Sequence, residues 1–401
     1  MLKPKSVEEL AVRGKRVFVR TDYNVPLNAQ QEITDDLRIQ ASLPTIQYLL
    51  DNGAAVILAS HLGRPKGERI PEMSLAPVAE RLSQLLGRPV EFVQDCIGET
   101  VEAKVSDLQP GQVLLLENLR FHAAETKNDA VFSAQLARLA DVYVNDAFGT
   151  AHRAHASNVG ITEHFAEKGA GFLLMKEVEF LVDAIENPRR PFTVVMGGAK
   201  ISGKIDLIKS LAERADYILV GGGMAFTFLA AAPLRHDVGS SLVETDKLAL
   251  ASEIMAYCAN REVNLVLPTD CVAAESIGSD VETRNLSIRS LTHGLMGLDI
   301  GPQTLKTFES VLKESKTVLW NGPMGVFEHE PFAAGTRRVA ETLAALTENG
   351  ATTIVGGGDS AAALAQFGLM DRVTHVSTGG GASLELLSGK TLPAFEALKG
   401  E

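Results

Sequence analysis

Cysteine and tryptophan are scarce in this chain, and positive charge is outweighed by negative. Three cysteines, Cys96, Cys258 and Cys271, stand far apart in 401 residues. Their spacing fits neither a disulfide framework nor a metal knuckle, so reduced, buried thiols in a cytoplasmic protein are expected. No apolar run reaches the roughly 18–20 residues that cross a bilayer. The opening Met1-Leu2-Lys3-Pro4-Lys5 leads into charged residues without an apolar stretch, so no secretory signal is expected there. Lysine and arginine number 38 against 50 aspartates and glutamates, a formal charge of −12. That balance argues against a general nucleic-acid or anionic-membrane surface. An anionic ligand would need a local cationic pocket.

What is present is a long alternation of short apolar runs and helix-length amphipathic segments. The runs are Arg16–Arg20, Ala55–Ser60, Val113–Leu116 and Val142–Asn145, then Phe192–Met196, Tyr217–Val220, Asn264–Leu267, Thr317–Trp320 and Thr352–Val355. Each is apolar on both faces and ends in a turn signal, the pattern of buried parallel strands joined by crossover helices. The length exceeds what one hydrophobic core supports. The fold class is therefore α/β, with two doubly wound domains, each a parallel sheet flanked by helices. A boundary is expected near Gly169-Ala170-Gly171. The helical pattern Phe172–Glu186 that follows, ended by Asn187-Pro188, would join the two halves. Gly169–Gly171 and Asn187–Pro191 are the expected flexing points.

Ligands of open α/β sheets bind beyond the carboxyl ends of the strands. In the first half those ends are polar or cationic: Thr21-Asp22-Tyr23-Asn24, His61-Leu62-Gly63-Arg64, Glu117-Asn118-Leu119-Arg120 and Asp146 through His152-Arg153. Arg38 follows Thr34-Asp35-Asp36 at an expected helix start. In the second half the ends are glycine-rich: Gly197-Gly198-Ala199-Lys200, Gly221–Gly223, Asn321-Gly322-Pro323, Gly356-Gly357-Gly358-Asp359-Ser360 and Gly379-Gly380-Gly381. Glycine lets backbone N–H groups approach phosphate at helix starts. One half is suited to a small polyanion held by arginines, the other to a nucleotide held by backbone. A lone arginine or a lone glycine triplet would more often be a solvated cap or a tight turn; the repetition at successive strand ends carries the reading.

Residues Gly198–Ile205 nearly spell a P-loop, but Ile205 stands where the Mg²⁺-binding hydroxyl belongs, so a P-loop nucleoside triphosphatase is rejected. Lys200 and Lys204 are four apart and could share one helix face towards phosphates. His122, His152 and His155 are read as structural or rim residues without metal-ligand spacing.

The ordered segments RTDYNVP, SHLGRP, LLLENLRFH, NDAFGTAHRAHAS, VVMGGAKISGKI, VLWNGPMGVFE, IVGGGDS and STGGGAS resemble the phosphoglycerate kinase family along essentially the whole chain. The resemblance implies four parts. Residues 1–171 would bind 3-phosphoglycerate, 172–187 form the interdomain helix, 188–385 bind Mg-ADP or Mg-ATP, and 386–401 return to the N-terminal domain. It implies a substrate site of Asp22, Asn24, Arg38, His61, Leu62, Gly63, Arg64, Arg120 and Arg153. Asp22 and Asn24 would meet the hydroxyl and carboxyl end; the arginines and His61 would meet the phosphate. On the nucleotide side it implies Gly198, Ala199, Lys200, Lys204, Gly297, Asn321, Glu328, Gly357, Gly358, Asp359 and Ser360. Glu328 would take ribose hydroxyls, Gly297 would line the adenine slot, and Asp359 would be the protein ligand of Mg²⁺. Ser360 stands where many relatives have threonine and keeps the hydroxyl.

The implied reaction is reversible phosphoryl transfer between 1,3-bisphosphoglycerate and ADP, giving 3-phosphoglycerate and ATP, by in-line transfer on domain closure. A carboxylate acceptor is already an anionic nucleophile and needs no general base. Charge on the transferring group would be met by Arg38, Lys200, Lys204, Mg²⁺ and the N–H groups of Gly380 and Gly381. A cytoplasmic monomer without nucleic-acid or membrane partners is expected. Two rivals stay open: another ATP-dependent carboxylate kinase, and a non-catalytic binder that kept the fold.

Overall fold

The computed structural model describes residues 3–233, 237–377 and 379–399, the side chain of Asp183 excepted. Thr378 of the last glycine-rich motif and the final two residues lie outside them. Every apolar run named above is a strand. The first sheet holds β1 (Arg16–Thr21), β2 (Ala55–Ala59), β3 (Val90–Val93), β4 (Val113–Leu116), β5 (Val142–Asp146) and β6 (Lys168–Ala170). Their order is β3-β4-β2-β1-β5-β6, and every pairing is parallel. β2, β4 and β5 are buried along their whole length, which is why they read as unbroken apolar runs rather than alternating ones.

The second half contains β7 (Phe192–Met196), β8 (Tyr217–Val220) and β9 (Asn264–Val266), then β10 (Asp270–Ala274), β11 (Arg284–Ser287) and β12 (Met296–Ile300), then β13 (Thr317–Asn321), β14 (Thr352–Gly356) and β15 (His375–Val376). The large sheet runs β15-β14-β13-β7-β8-β9, again all parallel. A small antiparallel sheet, β11-β10-β12, bulged between Val272 and Ala273, was not expected from the apolar runs. Its strands are short, and β11 is exposed along most of its length, so no apolar run marks it.

Two compact units emerge. One extends to Val178 and takes in the chain from Thr391; the other is Glu179–Lys390. The division falls inside the helical run that begins at Phe172. That run is α-helical over Phe172–Val178, widens to a π turn over Glu179–Asp183, and closes with Ala184–Glu186. Gly169 and Ala170 belong to β6 of the first sheet, where a side chain on Gly169 would strike the Lys5 carbonyl oxygen. The flexing point expected at Gly169–Gly171 is thus a paired strand end. After Thr391 the helix Pro393–Glu396 docks in the first unit, with Ala394 N–H donating to Ala151 O at 3.1 Å. Leu386 lies earlier, in the helix Gly381–Leu387 of the second unit.

Both sheets reverse direction beside their first strand. In the first unit β2 and β5 flank β1; in the second β8 and β13 flank β7. These are the switch points where crossover helices diverge and leave a crevice at the carboxyl ends.

Candidate active site

At the first switch point the loop after β1 turns Asp22 towards Arg38, Oδ2 to Nη1 at 2.7 Å. Arg38 sits there because the helix Leu37–Asp51 starts one residue earlier, its first N–H held by Asp35 Oδ1 at 2.9 Å. Asn24 Oδ1 accepts from Gly63 N–H at 2.8 Å, tying the β1 loop to the β2 loop. Arg120 Nη1 donates to Gly63 O at 2.8 Å, and its backbone N–H is held by Asn118 Oδ1 at 3.1 Å. Among the described residues the buried Nε and Nη2 of Arg120 have no hydrogen-bond partner. Leu62 is buried and Arg64 exposed.

A cavity of about 560 Å³ opens here, with Arg64, Lys66, Arg120, Lys127, Arg153 and His155 on its wall. The electrostatics are those of crowded like charge. Burial, then Arg20 and Arg153, lowers Arg120 to about 10. Burial, then Arg20, Arg120, Arg153 and Arg38, holds His61 well below the usual histidine range. Burial, then Arg120, Arg20, Arg153 and His152, brings His155 down to about 3. Without a bound anion His61 is therefore held as a neutral ring, which keeps one N–H to donate. Arg153 Nε donates to His152 Nε2 at 3.1 Å.

Arg20, Lys66 and Lys127 were not anticipated. Arg20 is fully buried within β1. Its only signal in the sequence is that a cation ends a strand otherwise buried on both faces. His122 Nε2 bonds Asp95 Oδ1 at 2.7 Å, and these two lie within 4.8 Å of Cys96. Burial pushes the Cys96 thiol well up, and Asp95 also accepts from the Cys96 N–H, so the three groups satisfy one another.

At the second switch point backbone does most of the work. Gly197 N–H donates to Asn321 O at 3.0 Å, and Gly198 N–H to Pro323 O at 2.8 Å. A Cβ on Gly197 would lie 2.1 Å from the Pro323 carbonyl oxygen, so no other residue fits. Lys204 Nζ donates to Gly197 O at 2.7 Å and to Asn321 O at 2.9 Å. Asn321 Nδ2 reaches Gly356 O at 2.9 Å, and Ser360 Oγ accepts from Gly322 N–H at 2.7 Å. Burial lowers Lys204 to about 8, partly offset by Asp359. Asp359 and Glu328 are exposed. Among the described residues no side chain pairs with Asp359, which stands in the first turn of the helix Gly358–Gln366 that follows Gly357.

Gly297 lies on β12 of the small sheet. A Cβ there would fall 2.0 Å from the tip of the Phe226 ring, so only glycine lets that ring close against the strand. Gly380 precedes the helix Gly381–Leu387. Lys200 and Lys204 do not share a helix face: the helix begins only at Ile205, and the preceding residues form turns. The cause is Glu244, whose Oε2 takes the N–H groups of Ile201 at 2.6 Å and Ser202 at 3.2 Å. Burial opposes ionisation of Glu244, but those bonds outweigh it and keep its pKa low. Lys200 and Ala199 are exposed on this loop.

A basin rich in guanidinium groups suits an anionic substrate, and a glycine-walled cradle with a half-buried lysine suits a polyphosphate. The sequence profile of the phosphoglycerate kinase family matches residues 7–390. A phosphoglycerate kinase of Acaryochloris marina is 56% identical over 385 residues, covering 96% of each chain. The cytosolic enzyme of Triticum aestivum is 55% identical, over 97% of this chain and 96% of its own. The solved structure of the Coxiella burnetii phosphoglycerate kinase shares 41% identity and superposes with a TM-score of 0.89 over 98% of both chains. Fold, switch-point geometry and these likenesses agree: this chain belongs to the phosphoglycerate kinase family.

Proposed function

We propose that the chain transfers a phosphoryl group between 1,3-bisphosphoglycerate and ADP, with 3-phosphoglycerate held by the first unit and the nucleotide by the second. The observation that carries the assignment of the first site is Arg120. Two of its buried nitrogen atoms have no partner, and each such group costs free energy that a bound phosphate oxygen would recover. Arg64, Arg153 and Lys66 on the same cavity wall extend the anion site. Asp22 and Asn24 take the hydroxyl and carboxyl end, with Leu62 and Gly63 forming the wall between them.

In the second unit Gly198, Ala199, Gly357 and Gly358 approach the nucleotide phosphates through backbone. Lys204 has given two of its three N–H donors to Gly197 and Asn321, which leaves one for a phosphate oxygen. Gly297 faces the base and Glu328 the ribose. Asp359, exposed and without a side-chain partner, fits a hard divalent cation. Mg²⁺ bound there would neutralise charge on the terminal phosphates.

Arg38 leaves its contact with Asp22 to meet the transferring group, joined by Lys200, Lys204 and the N–H groups of Gly380 and Gly381. No general base is needed, because the acceptor is a carboxylate. The half-sites belong to different units, so transfer requires them to close on one another and expel water. Free, buried cysteines accord with a cytoplasmic enzyme. Coupled oxidation of NADH through reduction of the acyl phosphate tests the reading. Fast turnover with MgATP and 3-phosphoglycerate is expected. Absence of turnover with MgADP still bound would move the assignment to another carboxylate kinase or a non-catalytic binder.

A further inference from the structure

Arg20 is fully buried, yet among the described residues its hydrogen bonds go to no carboxylate. Its Nε donates to Ser157 Oγ at 2.8 Å, its Nη1 to the Thr21 carbonyl, and its Nη2 meets His61 Nδ1 at 3.4 Å. A buried guanidinium without a counter-charge is unfavourable, and the compensating anion lies one hydroxyl away. Glu125, also fully buried, accepts from Ser157 Oγ–H at 2.6 Å and from Ser157 N–H at 2.9 Å. Ser157 has a single hydroxyl proton and spends it on Glu125, so its lone pair is turned towards Arg20. The buried carbonyl of the same residue is held by Tyr143 O–H at 2.8 Å, which fixes the bridge in place.

The far end of this chain sets a proton. Arginine can only donate, so His61 Nδ1 must accept from Arg20. The ring is neutral, so its one proton sits on Nε2. Asp22 Oδ1, 3.8 Å from the same Nδ1, is too distant to claim a proton there.

We propose that Glu125 is a positioning residue: acting through the Ser157 hydroxyl it holds the Arg20 guanidinium, and so fixes His61 in the tautomer that carries N–H at Nε2. This rests on reading the first unit as the phosphoglycerate site. Glu125 comes from the short helix Ala123–Thr126 after β4, Ser157 from the loop after β5, Arg20 from β1, and His61 follows β2. The relay thus spans the loops of neighbouring strands and couples one buried negative charge to the placement of the substrate-facing ring.

The test is steady-state kinetics together with ¹⁵N spectra of the histidine side chains in the full-length protein. Ser157→Ala removes the bridge and is expected to raise KM for 3-phosphoglycerate about tenfold, the size of one lost hydrogen bond to a charged group. KM for ATP stays unchanged, and the His61 signals move from the Nε2–H pattern towards a mixture. Ser157→Thr restores the hydroxyl and both readouts. Glu125→Gln, matched in size, shifts the His61 signals in the same direction and supplies the test should Ser157→Ala fail to fold. Variants that lose thermal stability while the His61 signals and KM stay within about twofold of wild type would overturn the relay. Wild-type protein without turnover would instead overturn the substrate reading itself.

Discussion

The two switch points bind anions by opposite means. In the first unit charge comes from side chains: Arg20, Arg38, Arg120 and Arg153 converge, and burial, reinforced by neighbouring arginines, lowers the pKa of His61 and His155. In the second unit the close approach is made by glycine backbone, and the half-buried Lys204 already spends two of its three donors on carbonyls. Arginine forks suit a small polyanion whose oxygens must be oriented, because each guanidinium offers a planar set of donors. Backbone suits a nucleotide polyphosphate, since peptide N–H groups are fixed by the fold and cannot titrate. Side-chain sites are therefore broken by substitution at one residue. Backbone sites are broken by adding atoms.

The sharpest break is Arg38→Ala. Its guanidinium sits on Asp22 in the first unit, and losing a charge that meets the transferring group should lower kcat on the order of a thousandfold. Nucleotide affinity, followed by the fluorescence of the single Trp320, should hardly change. Trp320 is a suitable reporter because it is fully buried on β13 and donates from Nε1 to Gly322 O at 2.8 Å, inside the nucleotide cradle. Turnover within a few fold of wild type would remove Arg38 from the chemistry.

Gly197→Ala is the matching break in the second unit. The new methyl would meet the Pro323 carbonyl at 2.1 Å, a backbone atom pinned by Gly198 N–H and unable to yield cheaply. A destabilisation of about 1–3 kcal/mol is expected from overpacking, read from denaturant unfolding, with MgADP binding lost and 3-phosphoglycerate binding kept. An alanine variant that binds MgADP normally would show that the loop is softer than its hydrogen bonds suggest.

The sequence showed much of this contrast and missed a definable part. Parallel strands buried on both faces announce themselves, and so do arginines or glycines at their ends. Arg20 was missed because its partners, Ser157 and Glu125, lie 137 residues or one further hydrogen bond away. The neutral state of His61 is a property of the assembled arginines, which no local pattern contains. Lys200 and Lys204 were read as one helix face because their spacing allows it; Glu244, 43 residues on from Ile201, claims the N–H groups and holds the loop open. The small sheet that carries Gly297 did not register because β11 is exposed and β10 and β12 interrupt their apolar residues with Asp270 and Asp299.

Ser360→Ala sharpens the comparison more gently. It removes the acceptor for Gly322 N–H, formed at 2.7 Å in a buried setting, and leaves that donor unsatisfied. MgADP affinity should fall about tenfold while KM for 3-phosphoglycerate is unmoved. Ser360→Thr should restore binding, since the hydroxyl is what holds the loop.

A pH dependence should appear in the second unit alone. Burial holds Lys204 at about 8 in the free protein, below its value of 10.5 in an unfolded chain. Between those values the unfolded state binds more protons, so this group's contribution to stability rises with pH across that window. A bound polyphosphate reverses the shift by favouring the ammonium form, so binding above pH 8 must take up a proton. ADP affinity should therefore weaken from pH 8 to 9.5, by no more than tenfold per pH unit, and Lys204→Met should bind more weakly but with a flat profile. The first unit relies on arginines, with Arg120 at about 10, and on a histidine already neutral. Its affinity for 3-phosphoglycerate should stay level over the same range. Parallel slopes for the two ligands would mean that a shared conformational step, rather than Lys204, carries the proton.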